Sequence, residues 1–199
     1  MLLVGVVAAG CGSSEDDDSA SAPATTTVAA TSVPAESQAT HNDTDVEFLQ
    51  EMYPHHAQAI GMAEMVDGRT DNAELVALAA QIEAAQAPEM NQMVVLLEQF
   101  GEPAPMGPDA MGEHMDDHMG GNGDDGMLSP DQMHALMSAE GAEFDRLWLE
   151  GMIAHHEGAI EMSNTVIAEG SNPDVRAMAE SIFETQQAEI DQMQTMLGQ

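Results

Sequence analysis

The stretch that decides the fold is Met52-Tyr-Pro-His-His-Ala-Gln-Ala-Ile-Gly-Met62, because the chain writes it again as Met152-Ile-Ala-His-His-Glu-Gly-Ala-Ile-Glu-Met162. Laying residues 45–97 over 145–197 without a gap pairs Asp45 with Asp145, Leu49 with Leu149, Asn72 with Asn172, Ile82 with Ile182, Gln86 with Gln186, Glu89 with Glu189, Met93 with Met193 and Leu97 with Leu197. Such agreement marks an internal duplication. Each copy alone would expose an apolar stripe, which the other can cover.

Helical periodicity says what the unit is. Phe48, Leu49, Met52, His56, Ala59, Ile60 and Ala63 fall on one face at 100° per residue, and so do Trp148, Leu149, Met152, His156, Ala159 and Ile160. A second helix in each copy carries Leu75, Leu78, Ile82, Met93 and Leu97, matched by Val175, Met178, Ile182, Met193 and Leu197. Asn172-Pro173-Asp174 is a helix start, with Asn as the cap, Pro in the first turn and an acid at the positive end of the dipole. No strand pattern competes. Two hairpins make four helices, so the expected class is all-α, a ferritin-like four-helix bundle with a crossover between the second and third helices.

Polar residues interrupt the apolar faces in both copies. Asp45 shares a stripe with Met52 and His56, and Gln86 and Glu89 lie between Ile82 and Met93; Asp145, His156, Gln186 and Glu189 repeat the pattern. A buried acid or imidazole must be hydrogen-bonded or ligate a metal, since leaving it bare is costly. Two readings follow: an Asp–His–Glu–Gln hydrogen-bond network that holds the helices in register, or a metal centre within the bundle. Pro54 would free a carbonyl and bend the first helix, and Ala154 replaces it in the second copy.

These residues resemble the signature of the bacterial family called domain of unknown function 305 (DUF305), over about residues 43–198. The resemblance implies export, a ferritin-like helical fold and, for some members, binding of copper or silver outside the cytoplasm. The family motif falls on Met52, His55, His56 and Met62, and on Met152, His155, His156 and Met162, departing from the usual proline at Ala154.

Ligand chemistry points the same way. Thioether and imidazole suit Cu(I), its analogue Ag(I), or Cu(II) through the histidines, whereas calcium and magnesium want oxygen. Met52 and His56 are i,i+4 neighbours on a helix, and Met52 and His55 are i,i+3, so sulfur and nitrogen can converge on one ion. His55 and His56 point about 100° apart, which predicts one facing the core and the other the surface.

Between the hairpins, the loop 101–128 holds Met111, His114, Met115, His118 and Met119, with Met106 and Met127 at its flanks, among Gly, Pro and Asp. Core filling does not explain methionines in such a stretch. Its pattern resembles the Met- and His-rich segments of exported copper-handling proteins, and it suits reversible capture; the alternative is an acidic linker of biased composition.

Composition sets the outer limits. With 199 residues, 3 basic and 36 acidic side chains and a formal charge of -33, the surface repels phosphate backbones and anionic lipid headgroups. Nucleic acid is thereby excluded as a partner and soluble cations are favoured. There are 18 methionines. The apolar run 1–10 is too short to span a bilayer. Ala8-Ala9-Gly10-Cys11 resembles a bacterial lipoprotein cleavage box, which predicts a signal segment over 1–11 and lipidation of Cys11. No Lys or Arg precedes the run, as a start codon placed too far downstream would produce. Residues 12–42, rich in Ser, Thr, Ala, Pro and acid, read as a disordered tether to the folded domain at 43–199. Cys11 is the lone cysteine, so no disulfide framework is available.

Three functions compete. The first is a copper-binding lipoprotein, Cu(I) preferred and Cu(II) allowed, anchored to the outer face of the cytoplasmic membrane through lipid alone. The second is a ferritin-like di-metal oxidase, which requires Glu-x-x-His on two helices. Reading back three residues from each of the eight histidines finds no Glu, and Met52 and Met152 take that place at the repeated sites. The third is a structural or interaction bundle whose histidines serve the core. No nucleophile–base arrangement stands out. The expectation is the first.

Overall fold

The structure, a computed structural model, describes residues 40–105 and 126–198. Cys11, residues 12–39 of the tether, and the loop residues Met106, Met111, His114, Met115, His118 and Met119 lie outside the described residues. The described part is all-helical. Helices α1 (Asp43–Glu64) and α2 (Ala73–Phe100) form the first hairpin, α4 (Gly141–Glu169) and α5 (Pro173–Met196) the second, and a short helix α3 (Pro130–Ser138) precedes α4.

Local chemistry sets the ends. Asn42 caps α1 in a reciprocal box with Asp45, each side chain accepting from the other's backbone N–H at 3.1 and 2.9 Å. Asn72 and Asn172, identical positions in the repeat, cap α2 and α5. α2 ends at Gly101, whose φ of 78° is the left-handed conformation that glycine adopts without penalty. The hairpin expectation therefore holds, and α3 is an addition to it. Ser129, Pro130 and Gln132 make a complete capping box for α3, but Leu136 is the only residue its nine positions bury. No helix of the described residues is long and apolar enough to cross a membrane.

Across the hairpins, α1 packs on α4 in antiparallel fashion. The Asn42 side chain at the start of α1 donates to the Glu169 carbonyl at the end of α4 (2.9 Å), and the Trp148 indole near the start of α4 donates to the Met62 carbonyl near the end of α1 (2.8 Å). The duplication thus produces a pseudo-twofold axis through the α1–α4 seam.

Two apolar clusters fill the bundle, one toward each end. One joins Met62, Val66, Leu75, Leu78, Ile82, Phe144, Trp148, Leu149, Met152, Ile190 and Met193. The other joins Phe48, Leu49, Met52, Met93, Leu97, Val166, Val175, Met178 and Ile182, with Met162 packed against it. Between them lies a polar waist.

The segment after the Met- and His-rich loop is pinned to this scaffold. The Gln58 amide clasps the Leu128 backbone on both sides, accepting from its N–H (2.7 Å) and donating to its carbonyl (3.0 Å). Gly126, at φ 73°, lies so close to α4 that a Cβ there would collide with the Ala154 carbonyl oxygen.

Candidate functional site

The waist consists of four pairs related by the repeat: His55 and His155, His56 and His156, Gln86 and Gln186, Glu89 and Glu189. All but Glu89 are buried. Each hairpin makes the same bond across its two helices, His56 Nε2 to Glu89 and His156 Nε2 to Glu189, both at 2.8 Å. A carboxylate only accepts, so each ring donates from Nε2, and a ring in that neutral tautomer keeps its lone pair on Nδ1. Neither Nδ1 has a hydrogen-bond partner among the described residues. An imidazole oriented by a carboxylate, with its other nitrogen bare, is the arrangement that metal-ligating histidines adopt.

His55 and His155 meet at the pseudo-axis, with ring centroids 3.7 Å apart and planes at 35°. Burial pushes the His155 pKa well below that of a free imidazole, and the neighbouring His55, His156 and His56 push it further. Burial also lowers His156, against the opposing pull of its bond to Glu189. These two rings are held neutral, the form that can ligate.

The expectation that His55 and His56 divide between core and surface is corrected. Both are buried, because α1 has two packed neighbours about a quarter-turn apart: α2 receives His56 through Glu89, and α4 receives His55 through His155. Nor do the polar residues form one continuous network. Asp45 lies at the end of the bundle, where its Oδ2 accepts from Asn42 N, Ser171 N, Ser171 Oγ and Asn172 N at 2.9 to 3.1 Å. Asp145 accepts from the Asn72 amide at 3.2 Å. Gln86 and Gln186 sit in the waist, but no amide atom of either has a hydrogen-bond partner among the described residues.

Thioethers flank the waist. Met52, Met62 and Met152 are buried outright, while Met162 is half-buried. Met52 and Met162 belong to one apolar cluster and Met62 and Met152 to the other, so each end of the waist is bounded by methionines from both α1 and α4. Met93 and Met193, both buried, stand one turn beyond Glu89 and Glu189. In the sequence that pair reads as core, and its i,i+4 spacing from the repeated glutamates is the signal that sets it beside them. Among the described residues, no group of three or more His, Cys, Asp or Glu side chains is arranged to hold a metal ion.

The family description "Domain of unknown function (DUF305)" matches residues 45–197. The chain belongs to this family. Its DUF305 fold is similar to that of a DUF305 fragment from Deinococcus radiodurans, at 31% identity over 80% of this chain and 97% of that one, with a TM-score of 0.66. A DUF305 protein of Streptomyces coelicolor, described as secreted, is 27% identical over 78% of this chain and 92% of its own, with a TM-score of 0.67. CopM in its Cu(II)-bound form is 31% identical over 76% of this chain and 93% of that chain, with a TM-score of 0.63. CopM has also been solved in Cu(I)-bound, silver-bound and apo forms. Among curated proteins, the uncharacterised protein L153 of Acanthamoeba polyphaga mimivirus is 36% identical over 55 residues, which is 28% of this chain and 36% of that protein.

Proposed function

We propose that this DUF305 protein binds copper, with silver as an analogue, outside the cytoplasm, and holds it for sequestration or delivery. The observation that carries the reading is the pair of bare, buried Nδ1 atoms on His56 and His156, each ring fixed by a glutamate and bounded by methionine. Leaving such atoms without a partner costs about 1–3 kcal/mol each, a cost that a ligated ion removes. The donor set of imidazole and thioether favours Cu(I), and Cu(II) through the histidines. The similarity to CopM, solved with Cu(I), Cu(II) and silver, supports the same choice.

In this reading Met52, His55, His56, Met62, Met152, His155, His156 and Met162 supply the retained site. Met111, His114, Met115, His118 and Met119 exchange ions with the medium. Cys11 carries a lipid that tethers the domain to the outer face of the cytoplasmic membrane, and the tether that follows it, up to the residues packed at the start of α1, provides the reach. The acidic exterior gathers cations.

Titration with Cu(I) against a competing chelator under reducing conditions, beside Fe(II) and Zn(II), tests this. Tight Cu(I) binding that weakens when Met52, Met152 and the loop methionines become Leu is the expected result. Binding that ignores those substitutions, or prefers Fe(II), would overturn it.

A further inference from the structure

The duplicated pairs share a bond length but not an environment. The Glu189 side chain is 2% exposed and the Glu89 side chain 19%, while both histidine partners are fully covered. Glu189 consequently has a buried oxygen, Oε1, with no hydrogen-bond partner among the described residues. Both in-helix prolines accompany the exposed pair. Pro54 lies two residues before His56 in α1, Pro88 lies one residue before Glu89 in α2, and the second copy has Ala154 and Ala188 instead. Each proline lacks the N–H that would bond the carbonyl four residues back, Gln50 and Ala84 respectively, and so loosens its helix at that level. α4 and α5 carry no such interruption, since Pro173 occupies the first position of α5.

We infer that a soft cation enters the waist through the first repeat, with Glu89 as the carboxylate that receives it at the surface, and that the sealed His156–Glu189 pair is the retaining half. This rests on the copper reading above. An ion arriving from water must shed its hydration stepwise. A carboxylate that touches solvent on one side and a buried imidazole on the other offers the intermediate ligand, and the helices on either side of it are the pair able to part. A residual negative charge at that point also raises the encounter rate in an already acidic field.

The test uses the full chain and a coloured Cu(I)–chelator complex, with transfer followed by stopped flow where the rate is first order in protein. Glu89→Gln should slow loading several-fold, because the carboxylate that receives the ion at the surface is lost. Glu189→Gln should act chiefly on release, raising the off-rate more than it slows loading. Pro88→Ala, which restores the missing helical donor and should raise thermal stability, should also slow loading with Glu89 intact. Equal slowing by the two glutamate variants, or wild-type loading by Pro88→Ala, would overturn the portal while leaving copper binding in place. No copper retained at equilibrium by the wild-type chain would overturn the copper reading and the portal together.

Discussion

His55 and His155, one hundred positions apart, stack with their ring centroids 3.7 Å from each other where the repeat's pseudo-axis crosses the α1–α4 seam. Two copies related by a twofold axis make such a self-contact: a residue that lies on the axis meets its own copy. When that residue is a basic side chain, the contact penalises charge on either ring. Burial and these neighbours hold the His155 and His156 rings neutral.

The neutral rings make stability depend on pH. Histidines whose folded pKa lies below the unfolded value take up protons on unfolding, so stability is full above about pH 6.5 and declines as pH falls through it, by up to about 1.4 kcal/mol per pH unit for each ring. With His155 and His156 both lowered, urea unfolding of the metal-free protein should show a loss of about 2 kcal/mol between about pH 7.5 and about pH 5.5. His155→Gln should flatten the profile. A wild-type profile that is already flat would show that the rings are not held neutral.

The two aspartates of the repeat should differ. Asp45 accepts four hydrogen bonds at the end of the bundle and Asp145 accepts one, from Asn72. Asp45→Ala strands the backbone N–H groups of Ser171 and Asn172 and should cost about 3 kcal/mol, against about 1 kcal/mol for Asp145→Ala. Equal costs in chemical denaturation would contradict the assignment of Asp45 as the clamp between α1 and the α4–α5 turn.

Gly126 offers a controlled comparison with Gly68. Both have φ near 74°, but a Cβ at Gly126 would strike the Ala154 carbonyl, and one at Gly68 meets nothing within 4 Å. Among the described residues Gly68→Ala meets only backbone strain, about 1 kcal/mol, and Gly126→Ala should exceed it by about 2 kcal/mol. The larger loss should come with faster hydrogen exchange at the Leu128 N–H that Gln58 holds. Matching melting temperatures for the two variants would mean that the segment is not pinned to α4.

Much of this arrangement is legible in the chain, for reasons that particular residues make plain. A gapless repeat with a 3.6-residue apolar period fixes two hairpins, and Asn72 and Asn172 mark where their second helices start. Position along the axis is harder to read than position around it. Asp45 shares a face with His56, but eleven residues separate them, about 16 Å of helix, enough to move it from the waist to the end of the bundle. The burial of both His55 and His56 depends on how many neighbours α1 has, which is a tertiary fact. α3 is too short to show a period. The different exposure of Glu89 and Glu189 is set by packing around two identical residues, although Pro54 and Pro88 are visible as departures between the copies.

X-ray absorption at the copper edge of the loaded protein tests the central claim most directly. The account predicts imidazole nitrogen and thioether sulfur around the ion together, with the sulfur contribution reduced when Met52, Met152 and the loop methionines become Leu. A shell of nitrogen and oxygen alone, or a protein that emerges from dialysis without copper, would contradict it.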